Sequence, residues 1–463
     1  MARHAPHDLE TSSWRGPRHL WRQCRVGLLL AALGLALLVL GSAPGRSAAP
    51  AWLNARAAAV GMTPAERTLG GVDLLLVHAE LLPELWLAHL APGARQAERG
   101  AALRALRGAV RSDPVLEALA LRFGDALGGP APNRDALAAL ERAWNAHLAA
   151  MNAPFALSTP LDPALRARGH LALSYYVVAR HEATTSAGTA SVVYGRRVDR
   201  LPVREGYYGW SNPRASEAFV SLDTVEAFAR AELWPLISEI GAARDPSVSV
   251  PLAAELRREL AALLDEPTYA TLRATAFART EQLEVLRRVE ACEGDAVGPW
   301  TDRRVGRGDV RRLQAGLGHS ARDCARVGPE EWERLREATL HIERRPEVDW
   351  AVEALTWVAA DVVAAHEVQH LEDDAHGLRL DASSPALDDH SAHEVSAYLG
   401  AIVRAEAPHV ALLMACRVGQ LRADALGAAV SHALVEVDSG LCTTSPPDAL
   451  VARAAARWES WFE

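Results

Sequence analysis

The chain has 463 residues, 49% of them hydrophobic, enough to bury a sizeable core in one large domain or two. It carries 49 basic residues, all arginine, against 58 acidic ones, for a net charge of −9. The charge is spread along the chain with no basic stripe, which excludes nucleic acid as an expected partner.

Taken in order, the chain opens with Arg15, Arg18, Arg22 and Arg25 ahead of an uncharged run from Val26 to Ala43. This one-sided arrangement reads as a signal peptide or signal anchor over residues 1 to 45. The positive flank stays cytoplasmic, so all that follows is exported. The expected location is the cell membrane, held by a transmembrane helix through residues 26–43 with the rest of the chain outside. The protein is secreted instead if the signal is cleaved. Four of the five cysteines then meet an oxidising compartment. The short-loop pairing is preferred, Cys292–Cys324 and Cys416–Cys442.

A Pro/Ala/Gly-rich tether follows, and residues 46 to 165 form a helical region broken at Pro92, Pro114 and Gly128-Gly129-Pro130. Residues 166 to 463 have a different character. LALSYYVVAR and ASVVYGRRVDRLPV predict a β-hairpin over 171–204 with a long connection. His181-Glu182 falls at its turn and reads as surface. Gly206 to Pro213 is an aromatic loop. Helices are predicted over 214–241, 250–265 and 268–291, and the Gly- and Arg-rich stretch 292–328 reads as a surface loop or lid. Pro329 opens another helix. The fold class expected is mainly α with a small β element, α+β.

The segment 350 to 374 contains His366-Glu367-Val368-Gln369-His370, an HExxH sequence, on an uninterrupted helix capped by Asp349. Residues four apart lie one above the other, so His366 and His370 can present two imidazoles to one metal ion. Glu367 sits one step round, beside the ion rather than on it. Zinc catalysis uses such a set: two neutral imidazoles, a third protein ligand, and water in the open position. A nearby carboxylate then takes a proton as the water attacks a carbonyl.

A second helix is predicted over 385–405, with Ser384 as cap and Pro385 at its first position. Its face of Ser391, Glu394, Val395, Tyr398 and Ile402 is mostly apolar. A carboxylate on such a face needs a cation or a proton.

Over these roughly 50 residues the chain resembles the zincin metallopeptidases. Val363, Val368, Gln369 and Leu371 fit the extended pattern around HExxH, and Glu372 departs from it. Glu394, followed three residues later by Ala397, resembles the ExxA stretch of the gluzincin group. The resemblance implies a zincin-like active-site helix pair binding Zn2+ through His366, His370 and Glu394, with Glu367 as general base. His376 remains open as third ligand, because it falls where the metzincin pattern HExxHxxGxxH places one. In zincins a strand near the active helix binds extended substrate by edge pairing, and the 171–204 hairpin is the candidate here. Tyr398 and His432 are candidate oxyanion stabilisers.

The function expected is therefore an exported, membrane-anchored zinc metallohydrolase that cuts peptide (amide) bonds in a peptide or protein substrate. The alternative is a non-catalytic exported scaffold or binding protein with a structural or vestigial metal site. An intramembrane protease is disfavoured, because Glu353 and Glu372 bound an apolar run too short to span.

Overall fold

The computed structural model describes residues 51–462, apart from 91–95, 129–132, 159–171, 187, 202–206, 214–215, 246–247, 294–299, 318–326, 379–386, 422–424, 439–440 and 443–448. The chain divides into two compact units, residues 1–55 and 56–463, and the second is described below. Among the described residues no helix is long and apolar enough to cross a membrane. This corrects the expectation of a transmembrane helix; residues 26–43, which prompted it, lie outside the described residues. The chain is mainly α with a small β element, as the sequence predicts.

The N-terminal part of this unit is helical. A helical stretch around a π turn, Val77–Leu81, leads to α1 (Gln96–Val110), α2 (Pro114–Leu127) and α3 (Arg134–Ala150). Asp113 caps α2 by accepting from the N–H groups of Val115 and Leu116, and Pro114 follows at a position that needs no N–H. The apolar faces close on Trp86, Phe123 and Trp144, all fully buried.

A five-stranded sheet comes next. Its strands are β1 (Phe155–Ser158), β2 (Leu173–Thr185), β3 (Gly188–Arg197), β4 (Gly209–Asn212) and β5 (Glu217–Ser221). The order across the sheet is β1-β2-β3-β5-β4. Only β3 and β5 run parallel, with Gly195 opposite Ser221. The expected hairpin is β2–β3, but its connection is tight, since pairing continues to Thr185↔Gly188. His181 lies on a strand opposite Val192, exposed, rather than at the turn. The aromatic loop and the start of the helix predicted over 214–241 are instead the strands β4 and β5.

After the sheet the chain is helical, and its helices include α4 (Leu222–Phe228), α5 (Val250–Leu263), α6 (Glu266–Glu293), α7 (Arg307–Leu317), α8 (Pro329–Glu343), α9 (Val348–His376), α10 (Asp389–Arg404), α11 (Pro408–Leu421), α12 (Ala425–Val437) and α13 (Leu450–Trp461). α7 lies inside the stretch expected to be a loop. The 29-residue α9 is the central element. It packs on β4, β5, α4 and α6 and on α10 and α11, and buries Leu355, Val362, Val363, Val368 and Leu371. Each such side chain contributes about 1.5–3 kcal/mol relative to exposure. Arg196 of β3 donates to Glu226 of α4 at 2.8 Å and to Glu353 of α9, so the sheet, α4 and α9 share one half-buried ion network.

Two predicted caps move. Asp349 lies within the first turn of α9, paired with Arg304, and Glu347 takes the cap position. The second helix begins at Asp389, because the carboxylate of Asp388 accepts from Ser391 N–H at 2.7 Å and fixes the start there. Ser384 and Pro385 lie outside the described residues. Cys416 and Cys442 form a disulfide. The Cys292–Cys324 pair falls on residues whose side chains are outside the described set.

Candidate metal centre

α9 has no Gly or Pro until Gly377 ends it in the left-handed conformation at φ 68°, so HExxH sits two turns inside a rigid helix. α10 crosses it closely, because Gly400 has no Cβ to strike the Gln369 side chain, whose Oε1 would lie 2.6 Å away. This contact brings Glu394 to the histidines. His366 Nε2 lies 3.6 Å from Glu394 Oε2, and His370 Nε2 lies 3.8 Å from Glu394 Oε1. The two imidazoles stand edge to face, with centroids 4.8 Å apart.

These separations suit zinc. Ligand atoms about 2.0–2.1 Å from an ion at tetrahedral angles are about 3.3 Å from one another. The donor set of two imidazoles and one carboxylate is that of an open catalytic site. His366, His370 and Glu394 are the residues that would hold the ion.

The protein groups also polarise one another. Burial opposes charge on Glu394, but the hydrogen bond and charge of His366 outweigh it and hold the carboxyl down to about 2. Burial likewise works against protonation of His366, yet Glu394 and Glu367 lift its pKa. His370 is pushed down to about 3 by burial, with the charge of His366 adding to it. Glu367 is buried, and burial raises it to about 8, with Glu394 assisting and His366 opposing. A carboxyl poised near neutrality suits proton transfer.

Tyr398 packs obliquely on His366, with ring centroids 4.5 Å apart and planes inclined at 59°. His432 does not join the site; it packs against Trp461. His376 is also elsewhere. Its side chain is 61% exposed, and its Nε2 meets Ser186 Oγ at the hairpin turn, where Ser186 also bonds Glu372.

α9 packs on β4 and β5 and also touches the expected hairpin, and of these strands β4 is the one at the end of the sheet. β3 is paired on both sides by β2 and β5, whereas β4 is a sheet edge. Gly209 makes the approach: a Cβ there would lie 2.8 Å from both Glu367 Cγ and Val363 Cγ1.

Sequence reasoning missed Gly209 and a buried polar line behind His370. Gln369 Nε2 donates to Asp373 Oδ1 at 2.7 Å, Ser396 Oγ donates to the same oxygen at 3.0 Å, and Trp458 Nε1 donates to Ser396 Oγ at 2.8 Å. The readable signal was Asp373 itself, one helical turn beyond His370.

No model of a known protein family matches the chain, and no similar curated protein or solved structure was found.

Proposed function

We propose that the protein is an exported zinc-dependent metallohydrolase that cleaves peptide (amide) bonds in a peptide or protein substrate. One observation carries the reading: ligand atoms of His366, His370 and Glu394, from two packed helices, lie within 4.8 Å of one another beside buried Glu367. When bound, the ion supplies the Lewis acidity that acidifies water and polarises a carbonyl. His366 and His370 bind it as neutral imidazoles, and Glu394 adds the charge that favours a cation. Glu367 takes the proton of the attacking water and returns it to the leaving amine. The open edge of β4 offers backbone groups to an extended chain running past Glu367. The Cys416–Cys442 disulfide supports an oxidising, exported setting.

The full chain is expected to carry about one equivalent of zinc, measured by metal analysis. Glu367→Gln keeps the zinc and lowers peptide hydrolysis at least about 100-fold, the scale of general-base catalysis. Glu394→Gln weakens zinc binding itself, and His376→Ala leaves it in place. Full zinc retention in the His366→Ala/His370→Ala double variant overturns the site. Unchanged hydrolysis in Glu367→Gln overturns the mechanism.

A further inference from the structure

We propose that Asp373 is the positioning residue for the metal ligand His370: once an ion is bound, its second carboxylate oxygen, which without one has no partner among the described residues, accepts the imidazole Nδ1 proton and so keeps Nε2 aimed at the ion. The inference rests on the zinc reading above and deepens it.

The argument begins with the imidazole. A neutral ring carries one proton, and a nitrogen that gives its lone pair to a metal cannot hold it. His370 Nε2 faces Glu394, so Nδ1 must carry the proton. An N–H in the interior needs an acceptor. Asp373 lies three residues on along α9, on the same side of the helix. One ring nitrogen of His370, one of His393 and a carboxylate oxygen of Asp373 lie within 4.8 Å of one another.

Asp373 is only 3% exposed, and its two oxygens are used differently. Oδ1 takes both the Gln369 and the Ser396 hydrogen bonds. Oδ2 is buried and takes none among the described residues. The chain thus spends three side chains, Gln369, Ser396 and Trp458, on fixing a carboxylate whose outer oxygen is left for a further donor. Trp458 belongs to α13, so the C-terminal helix reaches the metal ligand through Ser396 and Asp373.

The geometry makes the isosteric change the informative one. In Asp373→Asn the oxygen stays with the two donors, Gln369 and Ser396, and the new amide NH2 turns toward His370. It donates to Nδ1 and favours the tautomer with the proton on Nε2, which cannot bind a metal. A carboxylate that only filled space or held two helices together would be replaced by Asn with little effect on the ring.

The test measures zinc affinity of the full chain by competition with a chelator, alongside the urea unfolding midpoint of the chelator-treated protein. Asp373→Asn is expected to weaken zinc 10- to 100-fold, the usual effect of losing such a partner, with the midpoint close to wild type. Wild-type affinity in Asp373→Asn overturns the positioning role alone. A wild-type chain that binds no zinc overturns the metal reading, and this inference with it. Two zinc equivalents, one lost in His393→Ala, also overturn it, since Asp373 and His393 then hold an ion of their own. Should Asp373→Asn not fold, proton NMR of zinc-loaded wild type decides. A downfield, slowly exchanging Nδ1 proton on His370 supports the proposal; ligation through Nδ1, or exchange at the solvent rate, overturns it.

Discussion

His78 is buried and His370 is largely so, and desolvation pulls each far below the ordinary histidine range, to about 3. Their surroundings differ. His370 has Glu394 beside it, and with it a route to a cation. His78 sits in the π turn among Trp144 and Phe155, its Nε2 accepting from Trp144 Nε1 at 3.3 Å and its Nδ1 without a partner among the described residues. It stays neutral in the fold and protonates once unfolded, where its pKa is about 6.5. Below that pH the unfolded chain binds one more proton than the native one, so stability falls with falling pH. The loss runs from about pH 6.5 down to about 3, with a slope near 1.4 kcal/mol per pH unit. His78→Phe is therefore expected to flatten the acid side of the urea unfolding profile between pH 4 and 6.5, whatever its effect at neutral pH. An unchanged acid slope in that variant would show that other groups set it.

Among the elements, the approach of β4 to α9 depends most on a single residue. A methyl group at position 209 would meet Phe219 O at 2.7 Å and Glu367 Cγ at 2.8 Å, and the first of these is backbone that cannot swing aside. Gly209→Ala must push the edge strand off the helix. Overpacking of this kind costs about 1–3 kcal/mol. Peptide hydrolysis is expected to drop at least about 10-fold while zinc content is unchanged, because the ligands lie on α9 and α10. Loss of zinc in Gly209→Ala, or wild-type turnover, would refute the substrate role of this edge. The strand also shows what could be read in advance. α9 was legible because its signals are local: an uninterrupted helix-forming run and Gly377 to stop it. The β2–β3 hairpin was legible from its aromatic and β-branched residues. β4 was not, since GWSN has neither the length nor the alternation of a strand, and it exists only because Phe219 and its neighbours pair with it. The start of α10 falls four residues later than expected, because Asp388 rather than Ser384 caps the helix. The pairing of His366 and His370 could be read from helical spacing, whereas Glu394 was reached through the resemblance to the gluzincin ExxA stretch. Asp373, Ser396 and Trp458 come together only through packing of α9, α10 and α13.

Across the whole molecule, the candidate site depends on helices that supply none of its ligand residues. α10 carries Glu394, and it is held by α11, α12 and α13. The Cys416–Cys442 bond joins α11 to the segment after α12, closing a loop across a sequence separation of 26. A cross-link of that span stabilises the folded chain by about 3–4 kcal/mol through the entropy it removes from the unfolded one. Cys416 is 1% exposed, so a free thiol there would still pack as a small apolar group, and the fold has no local reason to collapse without the bond. Stability is then the property that should move. Cys416→Ser/Cys442→Ser, or thorough reduction, is expected to lower urea stability by about 3–4 kcal/mol. The same bond tests the compartment. In protein taken from its native location and alkylated without reduction, mass spectrometry should find Cys416 and Cys442 unlabelled. Both labelled would mean that the bond does not form where the protein resides, and the argument for export from this pair would fall, while the zinc site, built on α9 and α10, would remain to be judged by its own metal analysis.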